Sequence, residues 1–210
     1  MFNNFFARFT KETRAANEYR AVFMTMLIAG IVALIAAFVL TIEKFHLYQN
    51  PNAILSCSIN VVLNCSQVMQ TWQSQVFGFP NMVIGLMAFS VVITIAVLGL
   101  SGTKFPRWFL IGATIGFFFG LLFSYWLFFQ SVYAIQILCP WCLLVTTATT
   151  LIFSTMLHYN LRINTFQLAQ KTNLKVQKFL KAGYHQMIVI GWLVLMVIVV
   201  FVKFGESLFA

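Results

Sequence analysis

Read for where polar residues interrupt apolar ones, the chain resolves into five long apolar stretches, at residues 21–42, 82–100, 108–129, 135–157 and 187–202. None contains a charged side chain, and each is long enough, or nearly so, to cross about 30 Å of hydrocarbon as a helix. The last is the shortest and is expected to begin near Tyr184. The segment 43–81 has a different pattern. Cys65, Val68, Met69, Trp72 and Val76 share one helical face, while Ser66, Gln67, Gln70, Gln73 and Ser74 share the other. A short helix with one polar face lies on a membrane surface rather than across it. It is expected to form a lid, apolar side down, with Cys65 turned to the bundle, and to end at Gly78, Pro80 and Asn81. In 162–186, Lys171, Lys175 and Lys178 lie opposite Val176, Phe179 and Leu180, which predicts a second surface helix resting on anionic lipid. Gly112, Gly116 and Gly120 in the third stretch, and Ala29, Ala33 and Ala37 in the first, are rows of small residues. In lipid, such rows supply close helix packing.

Composition turns these stretches into membrane spans. With 61% hydrophobic and 8% charged residues in 210, a soluble fold of this size lacks the interior to hide its apolar surface. The fold class is an all-α integral membrane protein: a four-helix transmembrane bundle plus a fifth transmembrane helix, under a short lid. It reads as a single membrane domain over residues 1–210, with its core at 21–157 and the fifth helix at about 184–202. The first span lacks a small-residue cleavage site after it, so it is expected to be retained.

The net charge of +9 would suggest nucleic acid in a soluble chain; here it sets topology, and no nucleic-acid partner is expected. Arg8, Lys11, Arg14 and Arg20, then Lys104 and Arg107, then Arg162, Lys171, Lys175, Lys178 and Lys181 fall on one side. Only Lys44 and Lys203 fall on the other. The basic side is cytoplasmic, which puts the N-terminus there and the C-terminus opposite. The four cysteines, Cys57, Cys65, Cys139 and Cys142, all then face the non-cytoplasmic surface. Polar residues inside the spans are few, so no ion path is visible and a transporter is disfavoured. His46 and His185 read as polar residues of the interface, and Trp72, Trp108, Trp126 and Trp192 as packing or interfacial anchors.

Cys139-Pro140-Trp141-Cys142 opens the fourth span. Proline suits the first helical turn, so Cys139 is expected as the cap and Cys142 within the opening turn. Free backbone N–H groups and the positive end of the helix dipole there favour thiolate, the form that attacks disulfides. Two close cysteine pairs admit three readings. As permanent staples, the 57–65 pair would contribute about 2–3 kcal/mol, whereas a CxxC closes too small a ring to stabilise much. A four-thiolate zinc site lacks the spacing of a zinc ribbon, and an oxidising exterior works against free thiolates; no metal is expected. The favoured reading is a relay, in which a CxxC at a helix end exchanges disulfides with a mobile loop pair. A membrane scaffold with two structural disulfides is the alternative.

The spacing Cys57-x7-Cys65, the run Cys65-Ser66-Gln67-Val68, Phe77-Gly78-Phe79-Pro80-Asn81 with Gly85, and Cys139-Pro140-Trp141-Cys142 resemble the vitamin K epoxide reductase family, in its bacterial form without a fused thioredoxin-like domain. The resemblance covers about 21–157. The loop pair precedes the CxxC, the reverse of DsbB-type enzymes. The resemblance implies a four-helix bundle around a quinone (ubiquinone or menaquinone), with a fifth helix outside. It implies that Cys142 meets the quinone, that Cys139 exchanges with Cys65, and that Cys57 receives electrons from a separate DsbA- or thioredoxin-like protein. Asn81 matches the asparagine that hydrogen-bonds the quinone carbonyl, and Thr71 stands where relatives have serine. Thr146 replaces a tyrosine of some members, which disfavours vitamin K epoxide as substrate. The implied activity is a thiol oxidase of the bacterial inner membrane that supports disulfide formation in exported proteins.

Overall fold

The computed structural model describes residues 2–53, 55–58, 60 and 62–208, with side chains described between 17 and 205. The side chains of Arg8, Lys11, Glu12 and Arg14 thus lie outside the described residues. Among those described, the α-helices are α1 (Phe2–Gln49), α2 (Cys65–Gln70), α3 (Asn81–Leu100), α4 (Arg107–Phe129), α5 (Pro140–Arg162), α6 (Gln170–Lys181) and α7 (Tyr184–Leu208). Apolar segments able to cross a membrane run over Asn17–Gln49, Asn81–Leu100, Arg107–Ile135, Pro140–Arg162 and Tyr184–Gly205. The architecture is the all-α membrane fold that the pattern predicts. The third span is longer than its apolar stretch because α4 continues as a π-helical turn, Gln130–Ile135. Gln136 then adopts a left-handed conformation (φ 59°) and ends it. That break moves the start of the fourth span from the expected 135 to Pro140.

Helix α1 is the centre of the bundle, packing along α3 on one side and α5 on the other, with α4 against α5. Its buried row Ala29, Ala33 and Ala37 meets α3 at close range. A Cβ placed on Gly85 would sit 3.2 Å from the Ala37 Cβ, and one on Gly30 would sit 3.1 Å from Val92 and Ile93. The glycine row of α4 does not serve this purpose. A Cβ on Gly112, Gly116 or Gly120 would meet nothing within 4 Å. Leu110 and Thr114 are the buried positions of that part of α4. They stand two residues from Gly112 and Gly116, about 200° away around an α-helix. The small-residue seam is therefore α1–α3.

The end of the bundle away from the cysteines is fastened by charge. Arg162 Nε (2.7 Å) and His158 Nε2 (2.9 Å) bond the Glu18 carboxylate, Arg162 Nη1 donates to Gln177 Oε1 (2.7 Å), and Arg107 Nε donates to the Thr165 carbonyl (2.7 Å). His185, at the start of α7, bonds this end of the bundle, with its Nε2 3.1 Å from the Ser154 carbonyl. Helix α6 exposes Lys171, Lys175 and Lys178 and buries Leu180. Helix α7 is anchored within the membrane by Trp192 Nε1, which donates to Tyr125 Oη (2.7 Å), itself 2.8 Å from Thr150 Oγ1. Where no water competes, such bonds supply packing energy that apolar contact does not.

The seam makes a direct prediction. Gly85→Leu should force α1 and α3 apart and cost about 1–3 kcal/mol by overpacking, whereas Gly116→Leu should be tolerated. The fraction of detergent-solubilised protein remaining monodisperse after heating compares the two. Equal loss in both would refute the assignment of the seam.

Candidate functional site

The loop before α2 is organised by two asparagines. Asn60 Oδ1 accepts from the backbone N–H groups of Val62 (3.0 Å) and Leu63 (2.7 Å). Asn64 caps α2, its Oδ1 accepting from Gln67 N–H (3.2 Å), Ser66 Oγ (2.8 Å) and Ser58 Oγ (3.0 Å). An asparagine at this position satisfies N–H groups that have no partner inside the helix. The loop is then tied to the segment before α5. Leu138 N–H donates to the Val62 carbonyl (2.7 Å), and Asn64 N–H donates to the Leu138 carbonyl (3.0 Å). Asn64 and Leu138 directly precede Cys65 and Cys139, so this short parallel bridge delivers the two sulfurs to one place. Cys65 Sγ lies 3.3 Å from Cys139 Sγ, and the two residues are 0% and 1% exposed.

Cys65 is joined to Cys57 in a disulfide, with Cα atoms 5.6 Å apart, while Cys139 and Cys142 are free. Cys139 is the cap of α5 and Pro140 its first residue, and Cys142 N–H donates to Cys139 Sγ at 3.3 Å. This is the helix-end placement expected from the CxxC.

The lid departs from the amphipathic pattern at Thr71. That residue is extended (φ −77°, ψ 156°) and separates α2 from a 3-10 turn, Trp72–Gln75. The break resets the helical phase. Trp72, placed by periodicity on the buried face, is 66% exposed, and Gln73, placed on the polar face, is 8% exposed. The Thr71 hydroxyl donates to the Val68 carbonyl (2.7 Å) and closes the last turn of α2. Lys44 Nζ and Ser74 Oγ both donate to the Met69 carbonyl, each at 2.6 Å, tying the lid to α1.

Beneath the lid is a cavity of about 210 Å³ bordered by Leu40, Phe89, Phe123, Phe128, Gln73, Asn81, Cys139 and Cys142. Thr71 does not border it. Asn81 Nδ2 donates to the Gln73 carbonyl (2.7 Å) and its Oδ1 accepts from Val76 N–H (3.2 Å). One N–H and one lone pair of its amide remain for a ligand. Gln73 Oε1 is buried without a hydrogen-bond partner, a state that costs free energy until a donor is supplied. An apolar chamber bordered by these two amides and two thiols fits a flat apolar ring bearing oxygens: the free Asn81 N–H can donate to a quinone carbonyl, and Gln73 Oε1 can accept from the hydroxyl that reduction of such a ring creates.

Two residues here escaped the sequence reading. Gln73 was masked by the phase reset, which no pattern of apolar positions announces. Glu43 directly follows the first apolar stretch, yet it is 7% exposed, with Oε2 3.2 Å from Cys57 Sγ. The Ser56 hydroxyl donates to its other oxygen. Glu43, Cys57 and Cys65 offer atoms within 4.8 Å of one another, but sulfurs joined as a disulfide provide no thiolate for a metal.

Five apolar spans and a buried loop disulfide touching a helix-end dithiol define a multi-pass membrane protein equipped for thiol–disulfide exchange. The chain belongs to the vitamin K epoxide reductase family, whose model matches residues 24–157. Members are membrane thiol–disulfide oxidoreductases, linked in general to quinones and thiol-protein partners. No curated protein matches the chain.

The contact between the pairs can be checked without any turnover. A Cys57→Ser/Cys142→Ser double variant leaves Cys65 and Cys139 alone, and mild oxidation should link them almost completely. Adding Asn64→Ala removes the cap, worth about 1 kcal/mol, and should slow linkage about fivefold. Quantitative mass spectrometry of the cross-linked peptide measures both.

Proposed function

We propose that the protein is a quinone-dependent thiol oxidase of the bacterial inner membrane that reoxidises a separate DsbA- or thioredoxin-like protein. The observation that carries this reading is the 3.3 Å approach of Cys65 Sγ to Cys139 Sγ above a cavity that Cys142 borders. The orientation rests on the basic residues, which gather at the end of the bundle remote from the cysteines. That end is taken as cytoplasmic, and the cysteines face the exported side.

In the proposed cycle a thiolate of the partner attacks Cys57, and Cys65 leaves as a thiolate. Cys65 attacks Cys139 of the oxidised CxxC and Cys142 leaves. The second thiol of the partner frees Cys57, which then attacks Cys65, restores the loop disulfide and releases Cys139. Each exchange requires an accessible sulfur and an attacking thiolate, and two electrons have moved to Cys139 and Cys142. An oxidised loop pair beside a free CxxC corresponds to that stage. A quinone, when bound, accepts these electrons. Cys142 would face it, the free Asn81 N–H would donate to one of its oxygens, Gln73 Oε1 would accept from the hydroxyl formed on reduction, and the phenylalanines would exclude water. Thr71 contributes by closing the lid turn that presents Gln73.

Two experiments test this reading. Cys142→Ser should accumulate a Cys65–Cys139 disulfide, because Cys139 still attacks the loop pair and no Cys142 thiol remains to draw it back into a CxxC disulfide. Cys139→Ser should leave the loop pair reduced when excess reduced partner is supplied, and neither variant should reduce quinone. A Cys65–Cys142 link in the Cys139→Ser protein, with no Cys65–Cys139 link in the other, would reverse the roles. In intact cells, reduced protein should react with a membrane-impermeant maleimide from outside. Labelling that requires permeabilised cells would overturn the orientation.

A further inference from the structure

We propose that Glu43 is the general acid and base of the loop pair, taking the proton from Cys57 when that sulfur attacks and returning it when that sulfur leaves. The inference rests on the relay proposed above and adds the group that makes its buried steps possible. The carboxylate of Glu43 lies 3.2 Å from Cys57 Sγ, within reach for direct proton transfer. Ser56 donates to the other carboxylate oxygen, which holds the free oxygen towards the sulfur. Among the described residues the hydrogen bond to the Glu43 carboxylate comes from Ser56, and the approach to the disulfide-bonded Cys57 sulfur is a contact without a proton. The neighbouring cation, Lys44, is turned away, with its Nζ on the Met69 carbonyl (2.6 Å) and over the Tyr48 ring (5.0 Å). The other titratable groups beside the pair are Cys65 and Cys139. Among the described residues no base is paired with this buried acid, and it is set directly against the loop disulfide.

The chemistry requires such a group at one atom. After Cys65 has formed a disulfide with Cys139, the relay stalls until Cys57 attacks Cys65. Cys57 leaves the partner with the electron pair, and in its buried position beside Glu43 the departing sulfur takes the carboxyl proton; the thiol so formed is a poor nucleophile until that proton is removed again. Glu43 carboxylate removes the Cys57 proton as the Cys57–Cys65 bond forms and the Cys65–Cys139 bond breaks. Cys139 leaves with the electron pair, and Glu43 ends as the neutral acid. In the next cycle the second thiolate of the partner breaks the partner–Cys57 disulfide. Cys57 leaves with the electron pair and takes that proton from Glu43, which returns to carboxylate. Over a full cycle the carboxyl group is unchanged, so it needs no co-reactant.

The test uses full-length protein with a reduced thioredoxin-like donor and a soluble quinone, and compares wild type, Glu43→Gln, Glu43→Asp and Ser56→Ala. Glutamine keeps the shape and the contact with Ser56 but takes no proton. Acid quenching at intervals should show the Cys65–Cys139 disulfide accumulating in Glu43→Gln, with turnover down roughly 100-fold, in the range typical of a lost general base. Turnover of that variant should rise with pH as bulk base substitutes. Glu43→Asp should recover part of the rate, and Ser56→Ala should lose a smaller factor. Formation of the Cys57–Cys65 disulfide in resting Glu43→Gln protein confirms that the loop is folded. Wild-type turnover in Glu43→Gln, or a loss equal at every pH with no trapped disulfide, overturns the role of Glu43 and leaves the relay standing. Wild-type protein that moves no electrons to quinone overturns the relay, and the Glu43 role with it.

Discussion

The meeting of the cysteines at one end of the bundle depends on two backbone hydrogen bonds between the loop and the segment before α5, Leu138 N–H to Val62 and Asn64 N–H to Leu138. Residues separated by more than 70 positions meet there with no helix to carry them. Loop closure of that length is entropically costly, though the cost grows slowly with length. The spans meet most of it by bringing the ends of α1 and α5 together, and the bridge then sets register. A slip of one residue would place Asn64 or Ser66, not Cys65, against Cys139. The side chain of Leu138, fully buried with Val62, Val132 and Phe204, gives the bridge an apolar backing. Helix α7 thereby contributes to the site without touching a cysteine.

The lid solves a second problem, how to hold polar backbone over an apolar chamber. Carbonyls at the end of a short helix lack partners, and near lipid no water is at hand to supply them. Met69 receives two donors, from Lys44 and Ser74, and Val68 receives the Thr71 hydroxyl and N–H. Asn81 completes the closure, because its amide binds the backbone of Gln73 and Val76 while bordering the cavity. One side chain thus both fastens the lid and lines the chamber.

The spans, their number and the common surface of the cysteines were legible in the sequence, because hydrocarbon imposes length and charge rules that few side chains can evade. The CxxC at a helix start was legible for the same local reason, since proline and the missing hydrogen bonds of a first turn leave little choice. The lid was legible only as far as Thr71. Periodicity assumes an unbroken helix, and one extended residue exchanged the environments of Trp72 and Gln73. The glycine row of α4 misled for a related reason: spacing identifies a smooth stripe but not the neighbour it faces. Alanines 29, 33 and 37 did mark a contact, and their partner was Gly85 on α3. Glu43 was hidden by its position, since an acid just past an apolar stretch ordinarily marks the water boundary.

The two ends of the bundle are held by different physics, and the difference suits a relay. At the basic end, Glu18 is bonded by both Arg162 and His158, which fixes α1 against α5. With the Glu18 side chain 30% exposed, the hold comes from the geometry, since the two-pronged approach of Arg162 gives directed, charge-assisted hydrogen bonds. At the cysteine end the ties between loop and bundle are a few neutral hydrogen bonds, each worth about 0.5–1.5 kcal/mol net, besides the Lys44 contact. Thiol exchange needs sulfurs to approach, part and approach again. The bundle is thus clamped by charge at one end, and at the other the loop pair is held by those neutral bonds and by the apolar cluster that packs Cys57, Cys65 and Met69 against Leu40 and Leu47 of α1.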